Sequence, residues 1–116
     1  MQAILFHDFD KVTSYYGPIP QADYGPNSHS EVYKMNEEDR DPLDEDFTDA
    51  VNAACDTILG YGDVDFLVPR QCQLLTEWIA DRLQKPITPR LAEIYRKFDD
   101  YARRAVEYNT GMIIEL

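Results

Sequence analysis

At 116 residues the chain is long enough for one domain with a modest core, and a composition 44% hydrophobic and 12% aromatic excludes a wholly disordered polymer. A net charge of −11, from 22 acids and 11 bases, opposes phosphate binding, so neither nucleic acid nor an anionic membrane surface is expected as a direct ligand. The excess is lopsided: residues 1–66 hold fifteen acids against three bases, a balance of −12, whereas residues 67–116 hold seven acids and eight bases.

The first apolar run, Ala3 to Asp8 (AILFHD), is too short for a helix and predicts a strand inside a sheet. Residues 13–30, TSYYGPIPQADYGPNSHS, carry Gly17, Pro18, Pro20, Gly25 and Pro26 and read as a loop in which YGP occurs twice. EVYKM, Glu31 to Met35, alternates Val32 and Lys34 against Tyr33 and Met35 and predicts a short half-buried strand. From about Asp44 a helix is expected, with Phe47, Val51, Ala54, Cys55 and Ile58 at helical spacing and Gly60 and Gly62 as its stop.

Pro69 opens a second helix whose stripe is Cys72, Leu75, Ile79 and Leu83, ending at Lys85 and Pro86. Thr88 followed by Pro89 is an N-cap and first-turn proline for a third helix, with Leu91, Ile94, Tyr95, Phe98, Ala102 and Ala105 on its apolar face and Gly111 closing it. The terminal MIIEL is a β-branched run that predicts a strand paired beside an existing one. The expected fold is α+β, a single domain over residues 1–116 with about three helices packed on a small sheet of short strands.

Cys55 and Cys72 lack a CxxC partner and a neighbouring histidine, so buried free thiols are expected. The start MQAILFHDFD has no basic leader region, and no run approaches the roughly 18 apolar residues of a membrane span, which predicts a soluble cytoplasmic protein.

The segment Asn36 to Asp49, NEEDRDPLDEDFTD, concentrates the charge: Glu37, Glu38, Asp39, Asp41, Asp44, Glu45, Asp46 and Asp49 stand against Arg40 alone. Asp44, Glu45 and Asp46 are explained by a first helical turn, where carboxylates favour the positive end of the helix dipole. Glu37, Glu38, Asp39 and Asp41 precede Pro42, and their repulsion calls for solvation or a basic partner. Replacing those four together is expected to weaken binding without lowering stability. A calcium loop is excluded by register: counted from Asp39 the sixth position is Asp44 instead of glycine, and the twelfth is Ala50 instead of glutamate.

Carboxylates spread over a folded scaffold can imitate DNA phosphates and attract a protein built to grip a duplex. Asp63 and Asp65 in GYGDVDF extend the acidic set, as do Asp8 with Asp10 and Asp99 with Asp100. Tyr15, Tyr16 and Tyr24 flank the YGP turns and are candidates for exposure at an interface, whereas Tyr33 and Tyr61 are read as packing residues.

The bases of the last helix are spaced for intrahelical pairs, Glu93 with Lys97, Arg96 with Asp100, Asp99 with Arg103 and Asp100 with Arg104, so that face is expected to neutralise itself. His7 and His29 stand far from any evident nucleophile and no catalytic motif occurs, so no enzyme, no metal site and no cofactor is expected.

With carboxylates at Glu37 to Asp49, Asp63 and Asp65 on a small α+β domain, the chain resembles the small bacterial DNA-mimic proteins, closest to the neisserial type that binds the histone-like protein HU. The resemblance implies a monomer that occupies the DNA-binding face of a basic nucleoid protein and competes with DNA, acting as an inhibitor. The alternative is an immunity protein whose acidic face covers the basic active site of a nuclease-type toxin, and a scaffold protein stands third.

Overall fold

The structure, a computed structural model, describes residues 1–22 and 29–116. Its main sheet has four antiparallel strands in the order β4-β1-β6-β5, with β1 at Gln2–Phe6, β4 at Ser30–Lys34, β5 at Val64–Leu67 and β6 at Gly111–Glu115. The two ends of the chain meet at the centre, where Ile4 stands opposite Ile113. Both central strands are covered on both faces, which is why AILF and MII are unbroken apolar runs instead of alternating ones. Ala3, Leu5, Met112 and Ile114 join the core under the helices, while Ile4, Phe6 and Ile113 form a second cluster with Val12, Ile19 and Phe66.

That second cluster corrects the expectation of a loop over residues 13–30 as far as residue 22; the second YGP, at 24–26, lies outside the described residues. Val12–Tyr16 (β2) and Ile19–Ala22 (β3) form an antiparallel hairpin, with Gly17 at φ +58° in its turn. Pro20 is tolerated because the hairpin is a two-stranded ribbon with open edges. The hairpin brings Val12 and Ile19 onto the sheet face that the helices do not reach.

The first helical segment starts earlier than Asp44. It runs from a 3-10 turn, Glu37–Asp39, into α1 (Arg40–Leu43), a π turn at Asp44–Thr48 and α2 (Asp49–Cys55). Pro42 lies within the first turns, where its missing N–H has no helical partner to lose. The π turn repairs the hydrophobic phase. At about 100° per residue, Cys55 would stand about 120° around the axis from Leu43, and one extra residue in the turn restores the alignment. Leu43, Phe47, Val51 and Cys55 are all buried accordingly.

This helix ends at Cys55, with Asp56 in the left-handed conformation at φ 58°, instead of at Gly60 and Gly62. Ile58, now in the following loop, is 83% exposed, and Ala54, on the outer side of α2, is exposed as well. A fourth sheet strand, β5, follows this loop where none was expected.

Pro69–Arg82 (α3) and Pro89–Tyr108 (α4) are the two long helices, and the Thr88 hydroxyl accepts from the Leu91 N–H as an N-cap should. Asn109, left-handed at φ 55°, closes α4, and Gly111 instead opens β6. Phe47 packs against Trp78, Tyr95 and Phe98 at centroid distances of 5.6, 5.6 and 5.3 Å, fixing the acidic segment to both long helices. Cys55 and Cys72 are buried free thiols, as expected. No helix among the described residues is long and apolar enough to cross a membrane.

Candidate functional site

Folding divides the eight acids of the 36–49 run into two sets with different work. Glu37, Glu38, Asp41, Asp44, Glu45 and Asp49 are exposed, whereas Asp39 is buried and Asp46 half-buried. Packing explains the division: Asp39 and Asp46 lie on the side of the segment that meets Arg90, Arg82 and Tyr95 of the long helices, and the other six are left to solvent.

Asp39 receives both Arg90 Nε (2.9 Å) and Nη2 (2.8 Å), and also accepts the Asn36 backbone N–H at 2.8 Å. The Arg90 hydrogen bonds hold its carboxyl below the usual aspartate range despite burial. Burial pushes the other way at Asp46 too, but Arg82 (Nε 3.0 Å) and the Tyr95 hydroxyl (2.6 Å) prevail and keep it low. Tyr95 is pushed up in turn, by burial and then by Asp46. Asp39 and Asp46, both expected in the partner-binding set, are thus structural anchors between the acidic segment and the long helices. Glu37, Glu38 and Asp39, instead of Asp44 to Asp46, occupy the first turn of the segment.

Arg40 is partly withdrawn from the exposed face. It pairs with Glu37 at 3.2 Å, and its guanidinium lies 4.1 Å from the centre of the Tyr61 ring. Tyr61, read from sequence as a packing residue, is 68% exposed and works as a lid over this base. The signal available was its setting between Gly60 and Gly62, which argues for a turn more than for a core.

The structure also brings Tyr15, Tyr16 and Asp63 together. They line one open groove of about 640 Å³ with Ser14, Ile19, Gln21, Gly62 and Val64, and Tyr15 and Tyr16 are 63% and 78% exposed. The turn at Tyr61–Asp63 joins groove and acidic face, since Tyr61 shares a small recess with Arg40 and Asp44. Asp65 is half-buried and accepts the Ile58 N–H at 3.2 Å, so it braces the 56–63 loop. Tyr24 lies outside the described residues.

The basic face of α4 departs from simple self-neutralisation. Asp99 with Arg103 (2.8 Å) and Asp100 with Arg104 (3.3 Å) form as expected. Glu93, however, pairs with Arg90 (3.1 Å), and Lys97 stands 5.2 Å from the Tyr101 ring centre. Arg90 and Arg104 reach out of the helix to Asp39 and Glu31, so two of its bases clamp the acidic half to the domain.

Sequence reading left both histidines without a role. The sheet sets them side by side, with the His7 N–H donating to the His29 carbonyl at 2.9 Å. His7 Nε2 lies 2.5 Å from Glu31, and His29 Nδ1 lies 2.9 Å from Asp8. Comparison with protein-family models, with curated proteins and with solved structures found no match to this chain.

Proposed function

We propose that this protein binds a basic DNA-binding protein, of the histone-like nucleoid kind, through its acidic helical face and competes with DNA for it. One observation carries the reading: six exposed carboxylates share one side of a single helical segment, and one base beside them is covered by Tyr61. From Glu37 to Asp49 the segment rises about 18 Å, one carboxylate per roughly 3.6 Å of axis, close to the ~3.4 Å of helix axis per phosphate of one DNA strand. A groove lined with Lys and Arg would meet a similar line of charge.

The test is capture of a purified histone-like protein at rising salt, with duplex DNA as competitor. Binding that falls steeply with salt and is displaced by DNA supports the reading. Changing Glu37→Gln, Glu38→Gln, Asp41→Asn and Asp44→Asn together should abolish capture while leaving the melting temperature within a few degrees. Asp39 is left out of this set because it anchors the fold. Capture unchanged by the four substitutions refutes the assignment.

The groove between Tyr15, Tyr16 and Asp63 favours a second reading, an immunity protein for a nuclease-type toxin. Exposed tyrosines beside a cleft suit a tight, shape-specific contact more than a line of phosphates does. That complex would resist salt and would be weakened by Tyr16→Ala.

A further inference from the structure

We propose that Asp8, Asp10 and His29 bind one divalent transition-metal ion of the zinc or cobalt class. The three side chains come from two separate places, the turn between β1 and β2 and the residue before β4. One donor atom from each lies within 4.8 Å of the others. Donors around a tetrahedral ion at about 2.0–2.2 Å sit about 3.4 Å apart, so a closure of roughly 1.5 Å completes the site. His29 and Asp8 have side chains 41% and 43% exposed, which leaves them room to rotate.

The scaffold beneath the three ligands is held. Phe9, between the aspartates, packs against Phe6 at 5.6 Å and Phe66 at 6.2 Å. The Asp10 N–H donates to Asp8 Oδ1 at 3.0 Å, and the His7 to His29 backbone bond extends the β1–β4 ladder to the third ligand. One imidazole and two carboxylates form a mixed nitrogen and oxygen donor set. Imidazole suits zinc and the later first-row ions and is foreign to the all-oxygen shells of calcium and magnesium. This composition separates the cluster from the acidic helical face, which offers carboxylates alone.

His29 Nδ1 lies 2.9 and 3.0 Å from the two Asp8 carboxylate oxygens, so the imidazole and the carboxylate already face one another. An ion seated between them replaces that contact, with Asp8 binding as the carboxylate and His29 through a ring nitrogen. Bound, the ion cross-links the β1–β2 turn to the start of β4 and has coordination positions left for water or a partner's side chain.

The experiment is titration of the whole protein with Co²⁺ alone, followed by its visible absorption and by calorimetry. Saturation at one ion per chain is expected. Asp10→Asn, a change at an exposed side chain that the fold does not need, and His29→Gln should each weaken binding at least about tenfold. The four-substitution acidic-face variant should bind as the wild type does. Absence of saturable binding overturns the proposal, as does equal loss in the acidic-face variant, which would mean diffuse attraction of cations to the net charge. Unchanged affinity in Asp10→Asn overturns this ligand set.

Discussion

Asp39→Asn separates the acids that hold the fold from those that face outward. The wild-type carboxylate accepts two charge-assisted bonds from Arg90, at 2.9 and 2.8 Å, and the Asn36 N–H at 2.8 Å. Asparagine can keep the Asn36 bond, but its amide turns a donor toward the guanidinium or leaves one nitrogen of Arg90 unmet. A hydrogen bond to a charged group contributes about 1.5–3 kcal/mol. The Arg90 side chain is 38% exposed and can recover some hydration, so a loss of about 2–3 kcal/mol is expected in place of the larger cost of a fully buried pair.

At this chain length that is a fall of about 10 °C in Tm at pH 7. The sign with pH follows from the lowered folded pKa. The wild-type advantage is complete above the unfolded value near 3.9 and is lost as the pH falls through the lower folded value. Thermal melts of both proteins at pH 7 and at steps below pH 4 should therefore converge in acid. An Asp39→Asn protein that melts like the wild type at pH 7, or a gap that persists unchanged at the lowest pH, refutes the assignment of Asp39 to the scaffold.

Gly111→Ala should destabilise the protein by about 1–3 kcal/mol in denaturant titration, because a Cβ there would lie 2.5 Å from Phe66 Cζ and 2.6 Å from the Leu67 carbonyl oxygen. The carbonyl belongs to the paired strand and cannot swing aside, so a neutral result would mean that β5 and β6 separate easily. The thiols of Cys55 and Cys72 are pushed up to about 11 and about 12, chiefly by burial. Labelling by a disulfide reagent at pH 8 should track unfolding in urea, and prompt reaction of the native protein would contradict this packing.

Much of the architecture was legible because short-range chemistry carries it. Thr88-Pro89 marks a helix start through capping and a fixed φ, and the stripes from Cys72 to Ile79 and from Leu91 to Ala105 bury the faces that their spacing indicates. The runs AILF and MII read as strands because both their faces are covered. The hairpin was not legible: Pro18, Pro20 and Gly17 are turn signals, and the apolar contribution of Val12 and Ile19 shows only once the sheet face they cover exists. The π turn was equally hidden, since its evidence is the phase of Cys55 relative to Leu43.

For the candidate site, the amino-acid sequence by itself determined the sign, the amount and the location of the charge, because composition needs no folding to be counted. Which acids face solvent was a tertiary decision. Arg82 and Arg90 lie 36 and 51 residues from Asp46 and Asp39, and only the packing of the long helices against the acidic segment brings each pair into contact. The same holds for Tyr61 over Arg40 and for Asp8, Asp10 and His29. Long-range pairing of charges is set by where helices and strands come to rest, and no local periodicity encodes it.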